Sequence, residues 1–431
     1  MSLSQFFYPK SIAIVGASKK PGKVGHTLVK KLFNFKGKIF YVNAEGYEIF
    51  GKKAYKNLKE INEKVDLVII AVPAIVVKQV LQDCAYKNFK NCIIISSGFS
   101  DIGRKDRENE ILEIIKKNKI RILGPNNFGV VNTHFNLDCT FARLSPRKGN
   151  VAFASQSGAL WSFIADYSKK NNLGFSKFIS FGDMLDIDFN EALEYLINDK
   201  ETKVILLYIE TLKNGKIFMD LIKKTKKPVI VIKAGKTEEG KKAAHSHTGS
   251  LAGSYEIYKA ACRQAGAYFI KSLNESLDLA KFLSKNNKNN GKRTLILTNA
   301  GGPGVLFADL LPGIDLSCHK NSKLFLSYPD NPIDVLGDAD SSRFKEVLSK
   351  IKKENFYNNL VIIITPQDMT DDMNIAEEII NFKKESNVNF ICCLLGEESF
   401  KHSIELLEEN NIICFSEIER AAKLINNLHK I

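Results

Sequence analysis

The sequence has no apolar run approaching the ~20 residues that a membrane-spanning helix needs, which excludes an ordinary membrane span. Its eight cysteines, Cys84, Cys92, Cys139, Cys262, Cys318, Cys392, Cys393 and Cys414, form no C-x-x-C pair, and no histidines stand at zinc-finger spacing. That pattern argues for reduced thiols and against a structural metal. Tryptophan occurs once, and no low-complexity tail is present. Met1 to Lys10 contain no signal-peptide core, so a cytoplasmic location is expected.

Lysine, by contrast, is plentiful. The formal net charge of +14 admits nucleic acid, an anionic membrane or anionic small molecules as partners. No basic stretch interleaves aromatics as a single-strand binder does. Stretches such as Lys116-Lys117-Asn118-Lys119 and Asn286-Asn287-Lys288-Asn289-Asn290 recur evenly, as a general bias towards Lys and Asn produces. Neither nucleic acid nor membrane is therefore expected as a partner, while some lysines remain available for the phosphates of a nucleotide-like ligand. With 431 residues, 44% of them hydrophobic, the chain can fill about three domain cores.

One local plan occurs three times: a short apolar strand, a turn of small residues, then a helix. It opens at Ser11-Ile12-Ala13-Ile14-Val15-Gly16-Ala17-Ser18, at Val151-Ala152-Phe153-Ala154-Ser155-Gln156-Ser157-Gly158, and at Leu295-Ile296-Leu297-Thr298-Asn299-Ala300-Gly301-Gly302. Further apolar runs follow each opening at helix-bearing spacing: Val65 to Val72 and Cys92 to Ser96, Val204 to Ile209 and Pro228 to Lys233, Leu360 to Thr365 and Phe390 to Leu395. Continuous apolar strands alternating with helices predict parallel sheets covered on both faces. The fold class expected is α/β, with three consecutive doubly wound domains at 1–135, 148–284 and 291–431, joined by Asn136 to Gly149 and by the polar stretch Ser284 to Lys292.

Three segments carry chemistry. In Ser246-His247-Thr248-Gly249-Ser250, an imidazole sits among small donors suited to a phosphoryl group, and one ring nitrogen can attack if a carboxylate holds the other. The same residues also make an ordinary surface loop. Ser155-Gln156-Ser157-Gly158 opens a helix directly after a strand, where backbone N–H groups and the helix dipole favour an anion; simple N-capping would use the same residues. Glu210 ends the run Val204 to Ile209 at that same sheet edge and is the natural carboxylate for the imidazole, or else a solvated strand-end residue. Gly16-Ala17-Ser18, with Pro21-Gly22-Lys23-Val24-Gly25, resembles a dinucleotide fold's glycine loop. It departs from G-x-G-x-x-G, and Ile39-Phe40-Tyr41-Val42 is not followed by the acidic residue a nicotinamide ribose would need.

Taken in order, these segments, together with Asn331-Pro332-Ile333-Asp334 and Thr365-Pro366-Gln367-Asp368, resemble the α portion of the nucleoside-diphosphate-forming acyl-CoA synthetases. That family includes the ADP-forming acetate–CoA ligases and, more distantly, succinyl-CoA synthetase. The resemblance covers nearly the whole chain. It implies a Rossmann-like CoA-binding domain followed by two flavodoxin-like domains. His247 corresponds to the residue that is transiently phosphorylated, Glu210 to its orienting glutamate, and Ser157, Gly158 and Gly249 to the phosphate cradle. Gly16, Ser18, Lys23, Val42, Val72, Pro73, Ser97, Gly98 and Asn126 fall where the family forms its CoA pocket. Asn127 stands where relatives often have Cys.

The resemblance further implies an acid–CoA ligase forming acyl-CoA from a carboxylic acid, CoA and ATP, or running in reverse with ADP and phosphate. The family's ATP-grasp region is not visible, so ADP/ATP and Mg are expected on a separate ATP-grasp β subunit within a hetero-oligomer. The alternatives are a CoA-binding regulatory or scaffold protein without catalysis, against which the trio His247, Glu210 and Ser157 argues, and an acyl-CoA-dependent transferase, for which no additional domain is present.

Overall fold

Strands such as Leu67–Ile70 and Val229–Lys233 are buried at every position, so they require helices on both sides of the sheet. The computed structural model describes residues 3–242, 253–285, 287, 291–317, 330–354 and 356–429. The chain divides into two compact units, Met1–Lys271 and Ser272–Ile431.

The first unit holds two of the three large sheets. Its five-stranded first sheet runs Lys38–Val42, Ser11–Val15, Leu67–Ile70, Asn91–Ile94, Arg121–Leu123, all parallel. The second sheet repeats that plan with Tyr268–Ile270, Val229–Lys233, Val204–Ile209, Arg147–Ser155 and Gly174–Ser180. It then adds two antiparallel strands, Val130–Asn132 and Leu137–Asp138. In both sheets the earliest of the parallel strands lies between the second and the third. Such an order sends successive helices to opposite faces and opens a crevice at the carboxyl edge.

The second unit has the same order again: Ile333–Asp334, Thr294–Thr298, Asn359–Ile364, Asn389–Leu394, Ile413–Phe415. Expected strand positions are met closely; Val204–Ile209 coincides, Val65 to Val72 contracts to Leu67–Ile70, and Pro228 to Lys233 begins at Val229.

Two segments next to the expected boundaries pack across them. Val130–Asn132, expected at the end of the first domain, ladders instead onto Gly174–Ser180, with Val131 opposite Phe178, and Leu137–Asp138 extends it. The stretch from Asn136 is therefore part of the second sheet before it connects to anything. Helix Leu273–Ser284, at the end of the expected middle domain, makes its contacts within the C-terminal unit. Charge explains its allegiance: buried Glu408 accepts from Lys281 Nζ at 2.7 Å, Lys285 Nζ at 2.8 Å and the Cys414 amide at 2.9 Å, while Asp278 holds Arg420 at 2.7 Å. A buried carboxylate is tolerable only with partners of this kind. Ser272 caps the helix, its Oγ accepting from the Glu275 amide at 3.3 Å, while the Glu275 carboxylate accepts from Asn427 Nδ2 at 3.0 Å.

The second sheet carries one comparable burden. Lys177 is fully buried in mid-strand, its ammonium bound to Asp199 at 3.0 Å and Glu201 at 2.6 Å above the Tyr8 ring. The described cysteines are free thiols, and burial pushes those of Cys139 and Cys393 well up. Among the described residues no helix is long and apolar enough to cross a membrane.

Candidate functional site

Within the first unit, the carboxyl edges of both sheets border one cavity of about 550 Å³. Ala71, Val72 and Pro73 reach it from the loop after Leu67–Ile70; Ile95, Ser96 and Ser97 follow Asn91–Ile94, and Asn126 to Phe128 follow Arg121–Leu123. From the second sheet come Gln156 to Ala159 and the turn Gly182-Asp183. Of the residues predicted from the sequence, Val72, Pro73, Ser97, Asn126, Ser157 and Gly158 thus line a single space.

The phosphate-side wall begins at helix Ala159–Lys170, with Gly158 at its N-cap. A side chain at Gly158 would place Cβ 2.5 Å from Phe128 Cβ, so the glycine lets the helix start close to this aromatic wall. Phe128 lies on Phe141, ring centroids 4.0 Å apart, giving the cavity an apolar side. Gln156 anchors the loop: its Oε1 accepts from the Glu210 amide at 2.7 Å and the Thr211 amide at 2.8 Å, and its Nε2 donates to Thr211 Oγ1 at 3.1 Å. Glu210 is buried at the end of Val204–Ile209. Burial lowers the Lys233 ammonium, and the nearby Glu210 carboxylate partly restores it.

Of the first sheet's glycine loop, Val24 borders the cavity, while Gly16, Ser18 and Lys23 stand outside its lining. Gly16, at φ 90°, is pressed so closely on the next strand that a Cβ would stand 2.3 Å from the Ala71 carbonyl oxygen. The Gly16 and Ala17 amides donate to the Val42 carbonyl at 2.9 and 3.2 Å and are consequently spent on the sheet. Amides left for a phosphate belong to the start of helix Val24–Lys31, where exposed Lys23 is the N-cap. Ser18 Oγ accepts from the Lys20 amide at 3.0 Å and the Tyr47 hydroxyl at 3.4 Å; Asn43 Nδ2 donates to the Ala17 carbonyl and to Tyr47. Val42 is buried in its strand. The Gly98 amide donates to Asp101 Oδ1 at 3.0 Å, and its carbonyl accepts from Arg107.

Asn127 is buried with its amide spent on the backbone: Nδ2 donates to Ser180 O and Oδ1 accepts from Gly129 N. His247, Ser246 and Gly249 lie outside the described residues. Sequence reading passed over Asp183, Phe128 and Phe141. For Asp183 the signal was a Gly-Asp turn directly after an apolar strand, at the edge where ligands bind.

Comparison with known proteins agrees with this geometry. A CoA-binding domain family matches residues 10–133, and a succinyl-CoA ligase-like flavodoxin domain family matches residues 148–283. The chain is 41% identical to the α subunit of an ADP-forming acetate–CoA ligase II from Pyrococcus furiosus, covering 97% of this chain and 96% of that one. It is 39% identical to an ADP-forming acetate–CoA ligase I from Archaeoglobus fulgidus over 99% of its own length, but spans only 63% of that protein. A solved structure of acetyl-coenzyme A synthetase 1 from Ca. Korarchaeum cryptofilum, in complex with phosphate and ADP, superposes with a TM-score of 0.93 at 33% identity, covering 100% of this chain and 96% of the other.

Proposed function

The chain belongs to the family of ADP-forming acid–CoA ligases, and from that premise we propose that it is the α-type subunit of such an enzyme, interconverting acyl-CoA, phosphate and ADP with carboxylic acid, CoA and ATP. The observation that carries this reading is the shared cavity, where loops of a CoA-binding domain meet the N-terminus of a helix suited to phosphate. A scaffold that merely held CoA would not need a buried carboxylate anchored beside that helix start.

The first step exchanges thioester for acyl phosphate: phosphate, held by the N–H groups around Ser157 and Gly158, attacks the acyl carbon and CoA departs. Val72, Pro73, Ser97 and Asn126 hold the CoA end, with Gly16, Ser18, Lys23, Val42 and Gly98 serving the rest of the molecule. His247 then takes the phosphoryl group from the acyl phosphate, and the acid leaves. Glu210 keeps the imidazole in the tautomer whose free nitrogen attacks. Gly249 contributes to the cradle around the phosphohistidine. Splitting the exchange this way replaces one difficult displacement by two, with positioning and anion stabilisation supplying most of the barrier reduction.

Nucleotide chemistry belongs to a partner. The Pyrococcus relative is named as an α subunit and the Archaeoglobus protein is longer than this chain, which supports an ATP-grasp β subunit carrying ADP or ATP with Mg and a hetero-oligomeric, cytoplasmic enzyme. The domain ranges 1–135, 148–284 and 291–431 are retained as functional divisions, the first two in keeping with the family matches at 10–133 and 148–283.

The test is to incubate the full chain with acetyl phosphate, or with acyl-CoA and labelled phosphate, and map the acid-labile label. Label on His247 that vanishes in His247→Ala supports the reading. Tight CoA binding without label from either donor would favour the scaffold alternative instead.

A further inference from the structure

One carboxyl in the cavity has no task in the scheme above. Asp183 follows strand Gly174–Ser180 in a turn that is driven against the first sheet's last loop. Gly182 adopts φ 57°, and a Cβ there would stand 2.0 Å from Pro125 O and 2.5 Å from Asn126 O. The Asp183 amide donates to Pro125 O at 2.9 Å, and Asn126 Nδ2 donates to Asp183 Oδ1 at 3.3 Å. Asp183 is thereby fixed where the CoA-side loops meet the phosphate-side helix. Its Oδ2 is buried and takes no hydrogen bond from any described residue.

An ionised carboxylate offers about four acceptor sites, and leaving half of them dry is costly. The site accordingly favours the protonated form. Burial is the main cause, and the carboxylates of Glu108 and Asp101 add to it; the Asn126 amide and the Ser100 hydroxyl oppose, leaving the group pushed up to about 7. A carboxyl at its ordinary value near 4 is roughly four to five units too weak to accept a proton from a thiol of about 8.5, whereas one near 7 is matched both to the thiol and to neutral pH.

We propose that Asp183 relays the proton in the exchange between thioester and acyl phosphate, an inference that rests on the ligase reading. Towards the thioester, the CoA sulfur bonds to the acyl carbon while its S–H proton passes to the Asp183 carboxylate. The bond between the acyl carbon and the phosphoryl oxygen breaks, and the same proton is delivered to that oxygen. The products are the thioester and hydrogen phosphate, with the carboxylate regenerated and no net proton consumed. In the opposite direction Asp183 takes the proton from the attacking phosphate and returns it to the departing thiolate. The position of Asp183, between the cavity walls contributed by the two sheets, suits a group that must serve both reactants.

Two donors separate this role from a structural one. Acetyl phosphate enters after the thioester step, whereas acyl-CoA with labelled phosphate must pass through it. With Asp183→Asn in the full chain, labelling of His247 from acetyl phosphate is expected at the wild-type rate, and labelling from acyl-CoA, tried from acetyl- to phenylacetyl-CoA, to fall about 10²- to 10³-fold. In the wild type the acyl-CoA route bends with pH near 7, the variant loses that bend, and Asp183→Glu recovers part of the rate. Equal loss with both donors, or no loss with either, overturns the proposal. Wild-type chain that no acyl-CoA labels would instead sink the ligase reading beneath it.

Discussion

The second and third sheets place their opening loops at the same topological point and tie each to a neighbouring strand end through a buried amide side chain, yet the residues so tied differ. In the second sheet Gln156 reaches across to the amides of Glu210 and Thr211. In the third, Asn299 makes the equivalent crossing: Oδ1 accepts from the Thr365 amide at 2.9 Å, and Nδ2 donates to Thr365 O at 3.1 Å and Gln367 Oε1 at 2.8 Å. Both amide side chains are buried. A bridging amide is thus a device of the strand order itself, since the diverging loops leave backbone groups that must be satisfied. What differs is the residue it anchors, a carboxylate at 210 and a threonine at 365. The lesson is that topology supplies the crevice while chemistry depends on which side chain closes it.

If Glu210 makes that difference, importing its counterpart should erase it. Glu210→Thr is expected to slow His247 phosphorylation by at least about 10²-fold, measured by rapid-quench labelling, with Thr365→Ser leaving the rate unchanged. Labelling at full rate in Glu210→Thr would remove the distinction drawn here.

A second consequence concerns pH. Asp183 binds its proton up to about 7 when folded but only to about 3.8 when unfolded, so between those values the folded chain holds the extra proton. The unfolding free energy therefore falls as pH rises from about 4 to 7, by roughly 2–4 kcal/mol. Asp183→Asn should flatten this part of a urea-denaturation series and be the more stable protein at pH 8. An unaltered slope would mean that the carboxyl is already ionised and hydrated.

The amide bridges come next. Gln156→Ala and Asn299→Ala each strand buried backbone groups, and each should cost about 1–3 kcal/mol in denaturant unfolding. Only the first should also slow phosphorylation, because only there does the bridge hold a functional residue. Parallel losses of activity in both variants would argue against separating the two loops.

Glycines provide the mildest contrast. Gly158→Ala forces Cβ into Phe128 and should cost about 1–3 kcal/mol as overpacking. At Gly302, helical in the third sheet's loop, a Cβ would meet nothing within 4 Å, and Gly302→Ala should change stability by no more than about 1 kcal/mol, in the stabilising direction. Melting temperatures of the pair settle the matter.

Much of this was legible from residues alone. Val204–Ile209 and the three strand-turn-helix openings declared themselves because buried parallel strands must be apolar without interruption. Val130–Asn132 and Leu137–Asp138 escaped notice because strands this short carry no periodicity. Helix Leu273–Ser284 closes the predicted middle domain in sequence yet packs with the C-terminal unit, a contact that no local pattern records.

By itself, then, the sequence determined the α/β class, the order of three doubly wound sheets and the residue types able to handle CoA and phosphate, since each follows from local pattern. Only the tertiary structure decided that Val72, Pro73, Ser97 and Asn126 share one cavity with Ser157 and Gly158, and that Asp183 borders the same space with one carboxyl oxygen buried. Those facts depend on loops far apart in the chain being pressed together, which no local pattern records.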